Sequence, residues 1–237
     1  MKTIAKMRTF LKGASSKMAA GKVQPTIVMF GDSHTHAVQR AIGRRKSKGR
    51  NVPLAAYRLL KTKNGNQFGD TSFEDFLEIA KNLGSNDVVI STIGGNQHAI
   101  LTTIQHPIPF TFLMPIKDEA SDGRVDAQLI PNRSFAALMK ADIAVRDKQS
   151  LEALREATQA RIIHILPPPP KRDNDHITRY HETRFVAEIS AGLGVSPPDL
   201  RLKAWKMQTS ILLDVCDELC IEVMMPPSSA LDEDGYL

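Results

Sequence analysis

Five short apolar runs, separated by helical patterns, constrain the fold of this chain most strongly. They are rich in β-branched residues and nearly continuous in apolar character, and they cover 25–31, 51–60, 87–95, 161–169 and 220–227. Strands that are buried on both faces have this composition, whereas a strand with one face in water alternates. Because the runs alternate with helical segments, the sequence predicts an α/β fold whose parallel sheet carries helices on both faces.

The segments between these runs carry helix boundary signals. The stretch 72–84 gathers its apolar residues on one face, and Ser72 or Thr71 can cap its start while Gly84 can end it. Further helical patterns cover 134–160, 181–194 and 196–220. The segment 97–131 is rich in proline and apolar residues without periodicity, so we expect an insertion over one edge of the sheet.

The length of 237 residues suits one large domain, and no stretch has the composition of a linker. We therefore predict a basic lead-in over 1–24 and a single domain over 25–237, with truncation at its C-terminus as an open interpretation. No apolar run reaches the length of a membrane span, and the basic N-terminus lacks the apolar core of a secretory signal. We expect no membrane span.

Two cysteines, Cys216 and Cys220, lie four residues apart on a predicted helix. This spacing places both on one face, where we expect buried free thiols and no disulfide framework. Free thiols are typical of a reducing compartment, so the expected location is cytoplasmic.

Much of the net charge of +5 lies in the N-terminal lead-in and in a basic cluster, which consists of Arg40, Arg44, Arg45, Lys46, Lys48 and Arg50. Such a cluster can bind phosphate or nucleic acid. Here it lacks interleaved aromatic residues and a recognition-helix signature, so we interpret it as a solvated loop and expect no nucleic-acid partner.

Three glycine-containing motifs stand where strands end or helices begin. Ser33 follows the first apolar run, Gly69 precedes the 72–84 helix, and Asn96 follows Gly94-Gly95 after the third run. Ser33 could act as a nucleophile, or Ser33 or Asp32 could only cap the helix. Two backbone N–H groups and the Asn96 amide, if they converge, would form an oxyanion hole.

The order and placement of these motifs resemble the first three blocks of the SGNH/GDSL hydrolase family. The resemblance implies a flavodoxin-like three-layer α/β/α fold with a five-stranded parallel sheet, and hydrolysis of a small-molecule ester or thioester without a metal. It assigns the nucleophile to Ser33 and the oxyanion hole to Gly69 and Asn96. Acetylated carbohydrates and small acyl esters are the expected substrates. The sequence has His34 where the family usually has leucine, and Gln97 where aspartate is common, which alters the expected pocket.

The family takes its catalytic base from an Asp-x-x-His after the last strand, and no histidine follows His181 in this sequence. Three explanations stay open: a truncated chain, a replacement base such as His176 in Asp173-Asn174-Asp175-His176, or a degenerate member that binds a ligand without turnover. The histidines His34, His36 and His98 lie near the motifs in sequence, with no acid obviously placed to orient them. No metal-ligand spacing, P-loop or dinucleotide fingerprint is present, so we expect no cofactor.

Overall fold

The computed structural model describes residues 24–63, 65–114, 126–180 and 185–237. Its central sheet has five parallel strands, which are β1 (Ile27–Gly31), β2 (Ala55–Arg58), β5 (Val88–Thr92), β8 (Arg161–Ile165) and β9 (Glu222–Met224). Across the sheet they lie in the order β2-β1-β5-β8-β9. Each predicted apolar run contains one of these strands. The predicted α/β class with a five-stranded parallel sheet is therefore confirmed.

Helices flank the sheet on both faces and complete a three-layer α/β/α arrangement. They are α1 (Ser33–Lys46), α2 (Phe73–Ala80), α3 (Gln97–Thr102), α4 (Asn132–Ile143), α5 (Gln149–Ala157), α6 (Asn174–Arg179), α7 (Val186–Ser190) and α8 (Pro198–Glu218). One π-helical turn, Ala144–Lys148, joins α4 to α5. The predicted 134–160 helix is thus two helices, and of the predicted 181–194 helix the residues 181–184 lie outside the described part.

Two apolar clusters hold the layers together. In the first, β1, β5 and β8 pack against α2 and α5, and the rings of Phe30 and Phe76 stack with their centroids 4.2 Å apart. In the second, α4 packs against α8 through residues that include Met139 and Leu212, both fully buried. Burial of this kind is the dominant favourable term in folding.

Helix α2 shows which of the helix boundaries could be predicted from the local sequence. Its predicted cap is confirmed, because the Ser72 hydroxyl accepts a hydrogen bond from the Asp75 N–H at 3.0 Å. Its predicted end at Gly84 is wrong, since the helix stops at Ala80. The Gly84 N–H donates instead to the Asp87 carboxylate at 2.9 Å, which ties the following turn to the start of β5.

The structure adds short elements that the sequence analysis did not predict. A hairpin, β3 (Lys61–Lys63) and β4 (Asn66–Phe68), lies between β2 and the Gly69 motif. The predicted irregular insertion over 97–131 begins with α3 and contains the parallel pair β6 (Phe110–Thr111) and β7 (Gln128–Leu129). Residues 115–125 of that insertion, and 1–23 of the predicted lead-in, lie outside the described residues.

The two thiols have different environments. Cys216 is buried, and its burial raises the pKa of the thiol to about 11. Cys220 is exposed, because α8 ends at Glu218 and the chain passes through a positive φ of 51° at Cys220. The prediction of two buried thiols on one helix face was wrong for Cys220. Among the helices that the structure describes, none is both long and apolar enough to cross a membrane.

Candidate active site

Two of the three motifs directly follow neighbouring strands of the central sheet, and the Gly69 motif follows the β3–β4 hairpin beside them. Strand β1 lies between β2 and β5, and the register aligns Gly31 with Arg58 on one side and with Thr92 on the other. The ends of the three strands are therefore side by side. Loops that leave the carboxyl ends of parallel strands form the usual ligand-binding edge of such folds.

Ser33 is the first residue of α1 and is exposed. Asp32 occupies the N-cap position but makes no side-chain cap. Its carboxylate instead pairs with Lys61 Nζ at 2.5 Å and accepts the Gly94 N–H at 3.4 Å. Asp32 makes no side-chain cap and Ser33 lies within the helix. The alternative that Asp32 or Ser33 only caps α1 is therefore wrong.

Gly69 lies in a loop that folds back onto the end of β2. The Asp70 N–H donates to the Arg58 carbonyl at 3.0 Å, and the Asp70 carboxylate accepts the Arg58 N–H at 2.9 Å. Gly69 has a φ of +97°, and a Cβ there would lie 2.2 Å from the Leu59 carbonyl oxygen. The close contact with the Leu59 backbone therefore requires glycine at this position, independently of any ligand that binds the Gly69 N–H.

The turn after β5 needs glycine for similar reasons. Gly94 and Gly95 have φ values of +77° and +96°. A Cβ at Gly94 would lie 2.2 Å from the Asp147 carboxyl carbon, and one at Gly95 would lie 3.0 Å from Pro167. Asn96 occupies the N-cap position of α3, but its side chain makes no capping hydrogen bond. The Asn96 amide is thus not used to hold its own helix.

Asp147 is the residue of this region that the sequence analysis missed. It lies in the π-helical turn, with 2% of its surface exposed, and its Oδ2 accepts the Gln97 Nε2–H at 2.7 Å. Burial raises the pKa of Asp147, and the hydrogen bonds from Gln97 and the Gly95 N–H oppose that shift. The Gln97 side chain therefore has a buried partner. The local helical sequence does not distinguish Asp147 from its neighbours. The π-helical turn does, because such turns are frequent at functional sites.

A cleft of about 660 Å³ opens at this edge. The Gly94–Gln97 turn, Asp32, Lys61, Arg146 and Asp147 form its polar wall, and Phe73 and Ile100 form part of its apolar wall. Asn96 therefore lines the cleft, whereas Ser33 and Gly69 lie outside its wall. Lys61 belongs to the unpredicted hairpin, so the sequence analysis missed this cation as well.

The Asp173-to-His176 segment does not form an acid–base pair. The Asp173 carboxylate caps α6 by accepting the backbone N–H of His176 at 2.9 Å. The His176 imidazole lies next to Lys171, with Nε2 at 2.7 Å from Lys171 Nζ. Asp173 is thus engaged with the backbone and does not orient the His176 ring.

His98 is buried at the start of α3 and held from α8. Its backbone N–H and its Nδ1 lie 2.7 Å and 3.0 Å from Gln208 Oε1. Burial lowers the pKa of His98 to about 4, with a further lowering from the nearby His34. His98 is therefore neutral near pH 7. His34 and His36 are exposed on the first turn of α1.

Comparison with known proteins adds little to this geometry. No family model matches the chain. No curated protein matches it either. One crystal structure aligns with 86% of this chain and 83% of its own length, at 9% sequence identity and a TM-score of 0.38. A similarity of that size carries no argument about function.

Proposed function

We propose that this protein is a serine hydrolase that cleaves carboxylic esters through Ser33. One observation carries the proposal: Ser33 and Asn96 follow the adjacent strands β1 and β5, and the loop that contains Gly69 folds back onto the end of the neighbouring β2, so the three motifs lie at the same edge of the sheet. Ser33 is exposed at the first turn of α1, where unpaired N–H groups and the helix dipole favour negative charge.

In the proposed reaction, Ser33 Oγ attacks the ester carbonyl carbon and gives up its proton to solvent water. The carbonyl oxygen becomes negatively charged, and the N–H groups of Ser33 and Gly69 and the Asn96 Nδ2–H donate hydrogen bonds to it. The intermediate collapses by breaking the bond to the alcohol, which leaves with a proton. Water then attacks the acyl-enzyme and releases the carboxylic acid and free Ser33.

The rate of this reaction depends on whether a histidine acts as the general base for Ser33. Asp173 caps α6 and does not orient His176, and His98 is held by Gln208, so neither histidine supplies an oriented base for Ser33. An oxyanion hole and substrate binding alone retain roughly 10³- to 10⁴-fold catalysis over water in serine proteases. We therefore expect slow turnover that depends on Ser33.

The same observations favour a second candidate function, a binding module that does not turn its ligand over. In that case the Gly94–Gln97 turn and the cations Lys61 and Arg146 would hold an anionic or sugar ligand in the cleft. Backbone N–H groups and exposed cations are the groups that bind anions in such concavities.

The two candidates differ in whether ester turnover depends on Ser33. We expect hydrolysis of p-nitrophenyl acetate and of a peracetylated sugar by the wild type, its loss in Ser33→Ala, and a decrease of about 10²- to 10³-fold in Asn96→Ala. Ser47→Ala, beyond the other end of α1, is the matched control and should leave the rate unchanged. Turnover that persists in Ser33→Ala contradicts the hydrolase, and sugar binding without turnover by the wild type supports the binding module.

A further inference from the structure

We propose that a second pocket, on the other face of α3 from the cleft, binds a small carboxylate with an apolar body, such as an arylcarboxylate. Gln97 and Ile100 of α3 line the cleft, whereas Ala99 and Thr102 line this pocket. Ser33 lines neither of the two cavities. The proposal therefore goes beyond ester hydrolysis and does not depend on it.

The wall of the pocket carries positive charge. Among the described residues that form it, two are cations, Lys171 and Arg201, and none is an acid. Arg201 Nη2 donates to the Lys171 carbonyl oxygen at 2.8 Å, so the two residues are neighbours in the wall. His98 adds no charge near pH 7, since burial lowers its pKa to about 4. A concave surface of one sign of charge attracts a ligand of the opposite sign.

Arg201 is buried in this wall, with 2% of its surface exposed, and neutral groups hold it. Its Nη1 donates to Asn174 Oδ1 and to the Ser196 carbonyl. Its Nη2 donates to the Lys171 and Arg172 carbonyls. These bonds use four of the five guanidinium N–H groups. The fifth, on Nε, has no hydrogen-bond partner within the described residues. Burial of a charge without an opposite charge is costly, and a bound carboxylate would offset that cost.

The acidic and phenolic groups that act on Arg201 lie outside the pocket. Burial lowers the pKa of Arg201 to about 10, and Tyr236 and Asp199 oppose that shift only in part. Tyr236 and Asp199 line a different depression of the surface. On the side of the pocket, the charge of Arg201 therefore has no acidic counterpart among the described residues.

Lys171 supplies a second cation at the mouth of the pocket, where Lys171 and Tyr180 are exposed. Its Nζ lies 2.7 Å from His176 Nε2. That contact uses one of the three N–H donors of the ammonium group, so two remain for carboxylate oxygens. Hydrogen bonds between an ammonium and a carboxylate are about twice as strong as those between neutral groups.

The rest of the wall determines the body of the ligand. Ala99, Pro170, Ile177 and Phe185 supply apolar surface, and the pocket measures about 160 Å³. A cavity of about 150 Å³ in another protein holds one benzene ring. One aromatic ring therefore fills this pocket, with the carboxylate directed to the cations. Inorganic phosphate has no apolar surface to match such a wall, and small-molecule sites combine apolar walls with a few polar groups that fix orientation.

Benzoate is the probe for this site, and benzamide, which has nearly the same shape and no charge, is the matched control ligand. In NMR titrations of the wild type, benzoate should bind about tenfold or more tightly than benzamide, because hydrogen bonds to charged groups are the stronger ones. An increase from about 20 mM to about 0.5 M NaCl should weaken benzoate binding and leave benzamide binding unchanged.

Substitutions in the wall locate the bound benzoate. Ala99→Leu fills the pocket and should abolish the binding of both ligands, whereas Ala137→Leu, at an exposed position of α4, should retain it. Lys171→Gln should lower the benzoate affinity about fivefold, as expected for an exposed ion pair. It should keep a preference for benzoate over benzamide, since Arg201 remains. Lys140→Gln, which removes an exposed lysine of α4, should bind benzoate as the wild type does.

Four results would overturn the carboxylate site. Absence of saturable benzoate binding would do so directly, and equal affinities for benzoate and benzamide would show that the cations do not select the ligand. Phosphate that binds as tightly as benzoate would show that the apolar wall does not. Benzoate binding that survives Ala99→Leu would place the ligand elsewhere on the protein.

Discussion

Gly69→Ala is expected to lower the free energy of unfolding by about 2–5 kcal/mol, from about 1–2 for the positive φ and about 1–3 for steric overlap. Gly69 has a φ of +97°, and the new Cβ would lie 2.2 Å from the Leu59 carbonyl oxygen. Backbone atoms of the sheet edge cannot move aside as a flexible side chain can. The loop between β4 and α2 must therefore shift as a whole.

Gly49→Ala is the matched control, because Gly49 has a φ of +71° and nothing within 4 Å of the added Cβ. It should cost only the backbone strain, about 1–2 kcal/mol. Urea denaturation of both variants gives the comparison, with the midpoint shift at constant m-value as the readout. Equal costs for the two variants would show that the close approach to Leu59 does not constrain the loop. Loss of activity in Gly69→Ala also reports on this packing, so it does not isolate the N–H as an oxyanion donor.

Acidification from pH 7 to pH 4 is expected to remove about 6 kcal/mol of stability through His98 and His164, about 3 kcal/mol from each. Both side chains are buried, and burial lowers the pKa of each to about 4. Below about pH 6.5 the unfolded chain binds a proton at each site and the folded chain does not. Unfolding therefore takes up protons. Stability decreases as the pH is lowered, until the pH reaches the pKa of the histidines in the folded state.

Two features set the size of this acid effect. His164 Nδ1 lies 3.2 Å from Ser91 Oγ and its Nε2 has no hydrogen-bond partner within the described residues, so burial is what lowers the pKa of this ring. Asp147 acts in the opposite direction, since burial raises its pKa and its protonation in the folded state stabilises the fold on acidification. The net loss is therefore smaller than the sum of the two histidine contributions.

His164→Gln tests this assignment. The variant should lose about 3 kcal/mol less stability than the wild type between pH 7 and pH 4. His36→Gln removes an exposed imidazole and should leave the pH dependence as in the wild type. Chemical denaturation at a series of pH values measures both, and identical slopes for His164→Gln and wild type would show that His164 titrates normally.

The architecture could be predicted from the sequence because buried parallel strands leave a strong pattern. Each of the five sheet strands lies inside a predicted apolar run, and the helix patterns between them require parallel crossovers. The same logic placed Ser33 and Asn96 at the carboxyl ends of strands. Their side-by-side arrangement follows from the strand order, which local patterns do not specify.

The parts that escaped prediction depend on contacts between distant segments. Asp147 lies in an ordinary helical sequence, and its role comes from the π-turn that brings it to Gly94 and Gln97. Lys61 reaches Asp32 because of the β3–β4 hairpin, whose strands are polar and lack the alternating pattern. The Asn64-Gly65 pair in the sequence was the signal that could have found the hairpin.

Covalent labelling of Ser33 tests the proposed serine hydrolase most directly. A fluorophosphonate probe reacts with a serine whose hydroxyl is activated and whose oxyanion is held, and peptide mapping identifies the residue that carries it. We predict slow labelling of the wild type and of Ser47→Ala at Ser33, because no oriented histidine base was found for its hydroxyl among the candidates, and none in Ser33→Ala. An unlabelled wild type, or a label that persists in Ser33→Ala, would contradict the assignment of Ser33 as the nucleophile.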